Sequence, residues 1–169
     1  MIAEWHKLSP LQRILLVADG TLTKILEAYL TEELQVIKLS EEIVIIDEDI
    51  LPLEIEIGCK VIKRKILLQG QISQRNWLYA ESIIVIERLE EKFRTELIES
   101  DVPIGRLWSE YNIETFKEII SSTQELANDL SEYFNVDKQE QLLCRTYRVF
   151  SKQKPIMMIM EKFPESYFI

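Results

Sequence analysis

Apolar residues recur along this chain with two spacings, and the changes of spacing mark out its elements. Leu11, Ile14, Leu15 and Ala18 fall at helical intervals behind Ser9-Pro10, a serine N-cap followed by the proline that suits the first helical position. Asp19-Gly20 breaks the run, and Thr21 then stands as the cap of a second helix with Leu22, Ile25, Leu26 and Leu30 as its stripe. From Leu34 the period shortens. Residues 36–39, 43–46 and 53–57 read as strands, the last with Glu54 and Glu56 turned outward. Residues 59–69 form a long strand, 70–76 a hairpin-like connection and 77–86 the returning strand. Leu89, Phe93 and Leu97, four apart, predict a helix over 88–100. Residues 102–106 turn into a short helix. Phe116, Ile119, Ile120, Leu126 and Leu130 predict one or two further helices over 114–134. Residues 142–150 and 155–163 form a terminal hairpin.

Helices come in blocks and strands in adjacent pairs. That order predicts an α+β fold, a largely antiparallel sheet with helices packed on one side, and not repeated βαβ units. With 169 residues and no dividing linker, the expectation is a single domain over 1–169 that buries roughly 70% of its unfolded surface.

Two charges stand on strand faces that are otherwise apolar. Arg64 alternates with Ile62, Ile66 and Leu68, while Lys63 and Lys65 take the other face. Glu161 alternates with Met157, Ile159 and Phe163. A buried guanidinium needs an anionic partner, because its desolvation costs several kcal/mol, of the order estimated per ion. The partner is either a protein carboxylate or the carboxylate of a ligand; an ion pair between Arg64 and Glu161 with no ligand is the plain structural alternative.

Composition narrows the chemistry. A net charge of -9 argues against nucleic acid and anionic membrane as partners, though not against a local cationic pocket. The longest apolar runs are far too short to span a bilayer, and no signal-peptide pattern is evident. Cys59 and Cys144 lack CxxC spacing and fit a reduced, cytoplasmic setting as core thiols. One histidine, His6, makes a histidine triad or a multi-histidine metal site implausible. Four glycines, none in a Walker or GxGxxG pattern, exclude a glycine-rich phosphate cradle. No metal and no cofactor are expected, and self-association is left open.

The order of short motifs resembles the chorismate lyase (chorismate pyruvate-lyase) family, in particular its divergent prokaryotic and plastid branch. Asp19-Gly20-Thr21-Leu22-Thr23-Lys24 is similar to the family's turn between the first two helices. Arg64-Lys65-Ile66-Leu67-Leu68 with Trp77-Leu78-Tyr79-Ala80-Glu81-Ser82 resembles its hairpin. Val102-Pro103-Ile104-Gly105-Arg106 resembles its P-[LI]-G-R loop, and Glu161-Lys162-Phe163-Pro164 its terminal strand. Each motif is short; the ordered set spans nearly the whole chain.

The resemblance implies conversion of chorismate to 4-hydroxybenzoate and pyruvate without metal or cofactor, a step in aromatic compound biosynthesis, on an antiparallel sheet that buries its aromatic product. Arg64 matches the arginine that grips the ring carboxylate and Glu161 the glutamate near the ring oxygen. Leu22 and Ile104 match positions whose backbone amides assist, with Thr21 and Gly105 beside them. One position departs: Glu81 stands where the family has a second arginine, and Arg145, Arg106 and Arg148 are the candidates to replace it. The chemistry agrees. A small-molecule carboxylate suits the planar fork of Arg64, and a carboxyl group in apolar surroundings, as expected for Glu161, has a raised pKa and is fitted to move a proton. A second function class is a non-catalytic binding or sensor domain for an aromatic carboxylate, since the same fold resembles the effector-binding domain of some bacterial transcription regulators.

Overall fold

The computed structural model describes residues 4–19 and 22–169. Its elements in chain order are α1 (Pro10–Val17), α2 (Leu22–Leu30), β1 (Leu34–Ile45), β2 (Lys60–Gly70), β3 (Asn76–Val85), α3 (Glu91–Glu99), α4 (Ile104–Glu110), β4 (Phe116–Leu126), α5 (Ser131–Phe134), β5 (Gln141–Ser151) and β6 (Lys154–Pro164). The strands form one six-stranded sheet in the order β1-β2-β3-β6-β5-β4, and every neighbouring pair is antiparallel. The fold is therefore α+β with an antiparallel sheet, as the sequence predicts.

α1 begins as expected. Ser9 Oγ accepts the Gln12 amide N–H while Gln12 Oε1 accepts that of Ser9, a reciprocal cap on two otherwise unpaired donors. The apolar sides of α1 to α4 meet one sheet face in a single large core. Leu15, Leu16, Leu26, Phe93, Leu97 and Leu107 pack there against Ile62, Leu78, Ile84, Leu143, Val149 and Met157. On the other face, Ala127 and Phe134 cover Leu67, Tyr79, Leu142 and Cys144. The 46–59 connection closes over Val61 and Val85 with Leu53 and Ile55.

Three expectations are corrected. Residues 36–39 and 43–46 belong to one strand, β1, which passes through a bulge between Lys38 and Ser40. Residues 53–57 form no strand: Leu53 ends a single 3-10 turn, Glu54 has φ of 53°, and only the bridge Ile50–Ile55 remains. The turn still buries Leu53 and Ile55, which explains the alternating pattern. Helices over 114–134 are replaced by β4 and the four-residue α5. β4 also carries a bulge, between Ile119 and Ser121. An extra residue there breaks the period of two and leaves Phe116, Ile119 and Ile120 at a spacing that imitates a helix.

Candidate functional site

Side chains opposite one another on antiparallel strands share a face, so the register places the two singled-out charges together. Arg64 lies across from Ser82, Ser82 from Ile159 and Ile159 from Tyr147. One pleat along, Ala80 lies across from Glu161 and Glu161 from Arg145. All of these face the helices. Arg64, Glu161 and Tyr147 line one enclosed cavity with Thr23, Ser82 and Ile104. Its volume is about 40 Å³.

Arg64 is 3% exposed. Its facing carboxylate comes from the edge strand. Lys38 pairs with Ile66, the bulge takes up Leu39, and Glu41 then falls opposite Arg64. Glu41 Oε2 lies 3.5 Å from Arg64 Nε, too far and too poorly directed to be a strong hydrogen bond. Arg64 Nε and Nη2 are both buried with no hydrogen-bond partner. Burial pushes this guanidinium below its ordinary pKa, and the charges of Glu41 and Asp101 oppose that only in part. The cavity thus holds a cation short of hydrogen-bond acceptors.

Glu161 is held differently. Arg145 Nε donates to its Oε2 at 2.6 Å and the Tyr147 hydroxyl donates to its Oε1 at 2.8 Å. Arg145 is fully buried, and its Nη1 donates to the carbonyls of Leu15 and Ala18 at 2.9 and 2.7 Å, tying α1 to β5. Burial, then the Glu161 charge, raises the Tyr147 pKa well above its ordinary value, so the phenol remains a donor. The apolar setting expected for Glu161 is therefore replaced by a polar one. The alternative of an Arg64–Glu161 ion pair is not realised: Arg64 faces Glu41 and Glu161 pairs with Arg145.

The remaining positions separate. Ile104 opens α4 and lines the cavity. Leu22 and Gly105 are buried beside it, in α2 and α4, and Thr21 lies outside the described residues. Glu81 is on the opposite face, paired across the ladder with Lys65 and Met160 and accepting a hydrogen bond from the Tyr79 hydroxyl at 2.7 Å. The period of two on β3 makes this unavoidable once Ala80 and Ser82 face inward. Among the three candidate replacements, Arg106 pairs with Glu27, and Arg148 pairs with Glu118 and the Pro52 carbonyl. Only Arg145 reaches the cluster.

Sequence reasoning missed Glu41 and Tyr147. Tyr147 was legible as the inward partner of Arg145 on the same strand; Glu41 was not, because a bulge sets its direction. It also missed Lys117, which projects from β4 with Nζ 5.4 Å from the Tyr147 ring centroid and 5.1 Å from that of Trp108. Burial lowers its pKa to about 8, with Glu161 and Asp19 opposing and Arg145 assisting. Among the described residues no group of His, Cys, Asp and Glu is placed to hold a metal ion, and no helix is long and apolar enough to cross a membrane.

Comparison with known proteins gives one family and one fold. Residues 16–168 match the model of the family described as chorismate pyruvate-lyase Rv2949c-like. The chorismate pyruvate-lyase of Mycobacterium tuberculosis is 32% identical, over 98% of this chain and 85% of that one. That of Mycobacterium leprae is 33% identical over 98% and 79%. Among solved structures, the effector domain of PhnF from Mycobacterium smegmatis superposes with a TM-score of 0.71 at 11% identity, covering 90% of this chain and 93% of that one. The C-terminal domain of the histidine utilization repressor from Pseudomonas syringae gives 0.61 at 14% identity, over 81% and 95%. These two likenesses describe the fold.

Proposed function

This chain belongs to the Rv2949c-like chorismate pyruvate-lyase family, and from that membership we propose that it eliminates pyruvate from chorismate to give 4-hydroxybenzoate without a cofactor. The observation that carries the reading is Arg64, a buried guanidinium with two nitrogens that make no hydrogen bond, in a cavity with aliphatic walls. A ring carboxylate supplies the missing acceptors, and a charge-assisted contact of this kind is about twice as strong as a neutral hydrogen bond. The first peptide N–H groups of α2 and α4, at Leu22 and Ile104, add donors on the helix side. Leu68, Leu78 and Ile159 give the ring its apolar walls.

In the reaction the ring carbon bearing the hydroxyl loses its proton and the neighbouring carbon–oxygen bond breaks. The departing enolpyruvate gains a proton at its methylene carbon, and the ring becomes aromatic. Glu161 is the group assigned to the ring hydroxyl or the departing proton, with Arg145 and Tyr147 fixing the direction of its two oxygens. Aromatisation supplies the driving force, so orientation contributes most of what the site must add.

The cavity is smaller than the ~150 Å³ that accommodates a benzene ring in an engineered core. Ligand entry therefore requires Pro103 and Ile104, at the start of α4, to move outward. Pyruvate release from chorismate, followed with the purified protein, tests the proposal. Tight 4-hydroxybenzoate binding without pyruvate formation would instead make the chain a binding domain, and neither binding nor turnover would leave the family and the fold alone.

A further inference from the structure

A second recess lies on the Trp108 side of Lys117. It measures about 360 Å³ and is lined by Asp19, Trp108, Ser109, Asn112, Thr115 and Lys117. Lys117 joins it to the cavity. Its ammonium lies against Trp108, a wall of the recess, and against Tyr147, a wall of the cavity. One observation points to a polar occupant. The Trp108 Nε1–H is buried with no acceptor, on a residue only 5% exposed. An orphaned buried donor costs about 1–3 kcal/mol in general, so an acceptor beside Trp108 would relieve that cost.

We propose that the recess is a second anion subsite, in which Lys117 receives the second carboxylate of a dianionic substrate. The inference rests on the lyase reading and deepens it. Arg64 on β2 and Lys117 on β4 are four inter-strand steps apart, about 19 Å at the backbone; Arg64 lines the cavity that Tyr147 walls, and the Lys117 ammonium lies 5.4 Å from the Tyr147 ring centroid. A substrate with its ring carboxylate on Arg64 then directs its enolpyruvyl carboxylate past Tyr147 to Lys117. This gives the acidic side chain at position 81 a physical context. A cation on β3 at that position would face away, and the cation is supplied from the edge strand β4 instead. Asp19 on the rim is the opposing charge. Glu161 and Asp19 favour the Lys117 ammonium, and the Arg145 charge acts against it.

The test compares 4-hydroxybenzoate with 3-(carboxymethoxy)-4-hydroxybenzoate, which adds a second carboxylate on a short ether arm, measured by calorimetry on wild type, Lys117→Met and Lys117→Arg. The Met variant should bind the dianion roughly 10- to 100-fold more weakly, the loss of one hydrogen bond to a charged group, while 4-hydroxybenzoate changes by less than about twofold. The Arg variant should recover most of the dianion affinity. Equal effects on both ligands, or no effect on the dianion, overturn the subsite. The lyase reading fails separately. If wild type binds the dianion through Lys117 yet releases no pyruvate from chorismate, the subsite stands without the reaction, and if neither ligand binds wild type, both are overturned.

Discussion

Glu41 stands opposite Arg64 because β1 carries one extra residue at Leu39. A regular ladder would have put Ser40 there and left the guanidinium without a facing charge. Bulges commonly re-aim a side chain in this way. At 3.5 Å the pair is loose, strong enough to reduce the burial penalty of Arg64 and weak enough to leave room for a ligand. Glu41→Gln should lower the stability of the unliganded protein by about 1–3 kcal/mol, as for a buried group left without its partner. The ligand should then act as replacement counter-charge, so 4-hydroxybenzoate should raise the melting temperature of the variant more than that of wild type. Equal ligand-induced shifts in thermal melts would show that Glu41 and the ligand do not share Arg64.

The two buried arginines should respond in opposite ways. Arg145 donates to Glu161 and to two carbonyls of the α1 segment. Arg145→Met strands all three acceptors, and breaking such a pair costs about 3–5 kcal/mol. Arg64→Met removes a charge that the unliganded fold satisfies poorly, so denaturant stability should fall little or rise. Carboxylate affinity should fall instead, by about 2–5 kcal/mol for one side of a buried charged contact. Urea melts and ligand titration of both variants separate the roles; a large stability loss in Arg64→Met would mean that Arg64 is structural.

Glu161→Gln keeps the shape of the side chain and one acceptor for Arg145. If Glu161 acts on a proton or on the ring hydroxyl as the reaction proceeds, kcat should drop by a factor on the order of 10²–10⁴ with KM nearly unchanged. A rise in KM at constant kcat would reassign Glu161 to binding.

The size of the cavity makes a prediction about motion. If a ring enters the cavity past Pro103 and Ile104, binding should pack the start of α4 on the ligand. Amide exchange at residues 104–110 should slow when 4-hydroxybenzoate is added, while the β3–β6 ladder at the sheet centre changes little. Unaltered exchange in α4 would place the ligand elsewhere.

Most of the fold was legible because its strands obey simple alternation. Arg64 and Glu161 were visible as charges on apolar faces, and their convergence on one cavity follows from register in uninterrupted stretches of β2, β3 and β6. What escaped depends on single extra residues. The bulges in β1 and β4 reverse the face of everything beyond them, which hid Glu41 and turned β4 into an apparent helix. Glu81 shows a different limit: motif alignment placed it at the site, whereas the period of two sends it to the other face. Lys117 was hidden because its strand was read as helix.

Lys117 gives the pH dependence its sign. In the fold its pKa is lowered to about 8 by burial, with Arg145 assisting against Glu161 and Asp19, from an ordinary 10.5. Between these two values the unfolded chain holds a proton that the folded protein has released. Stability contributed by this group therefore rises with pH across that window, and below it the buried ammonium is a constant burden. Binding of a dianion runs the other way, because the carboxylate needs the ammonium. Dianion affinity should fall as pH rises through about 8 in wild type, and the slope should disappear in Lys117→Met. The quantity to read is the difference between wild type and variant, in urea melts for stability and in calorimetry for affinity. Stability differences that climb while affinity differences decline place the proton on Lys117 in the subsite. Parallel changes in both, or none in either, would remove Lys117 from it.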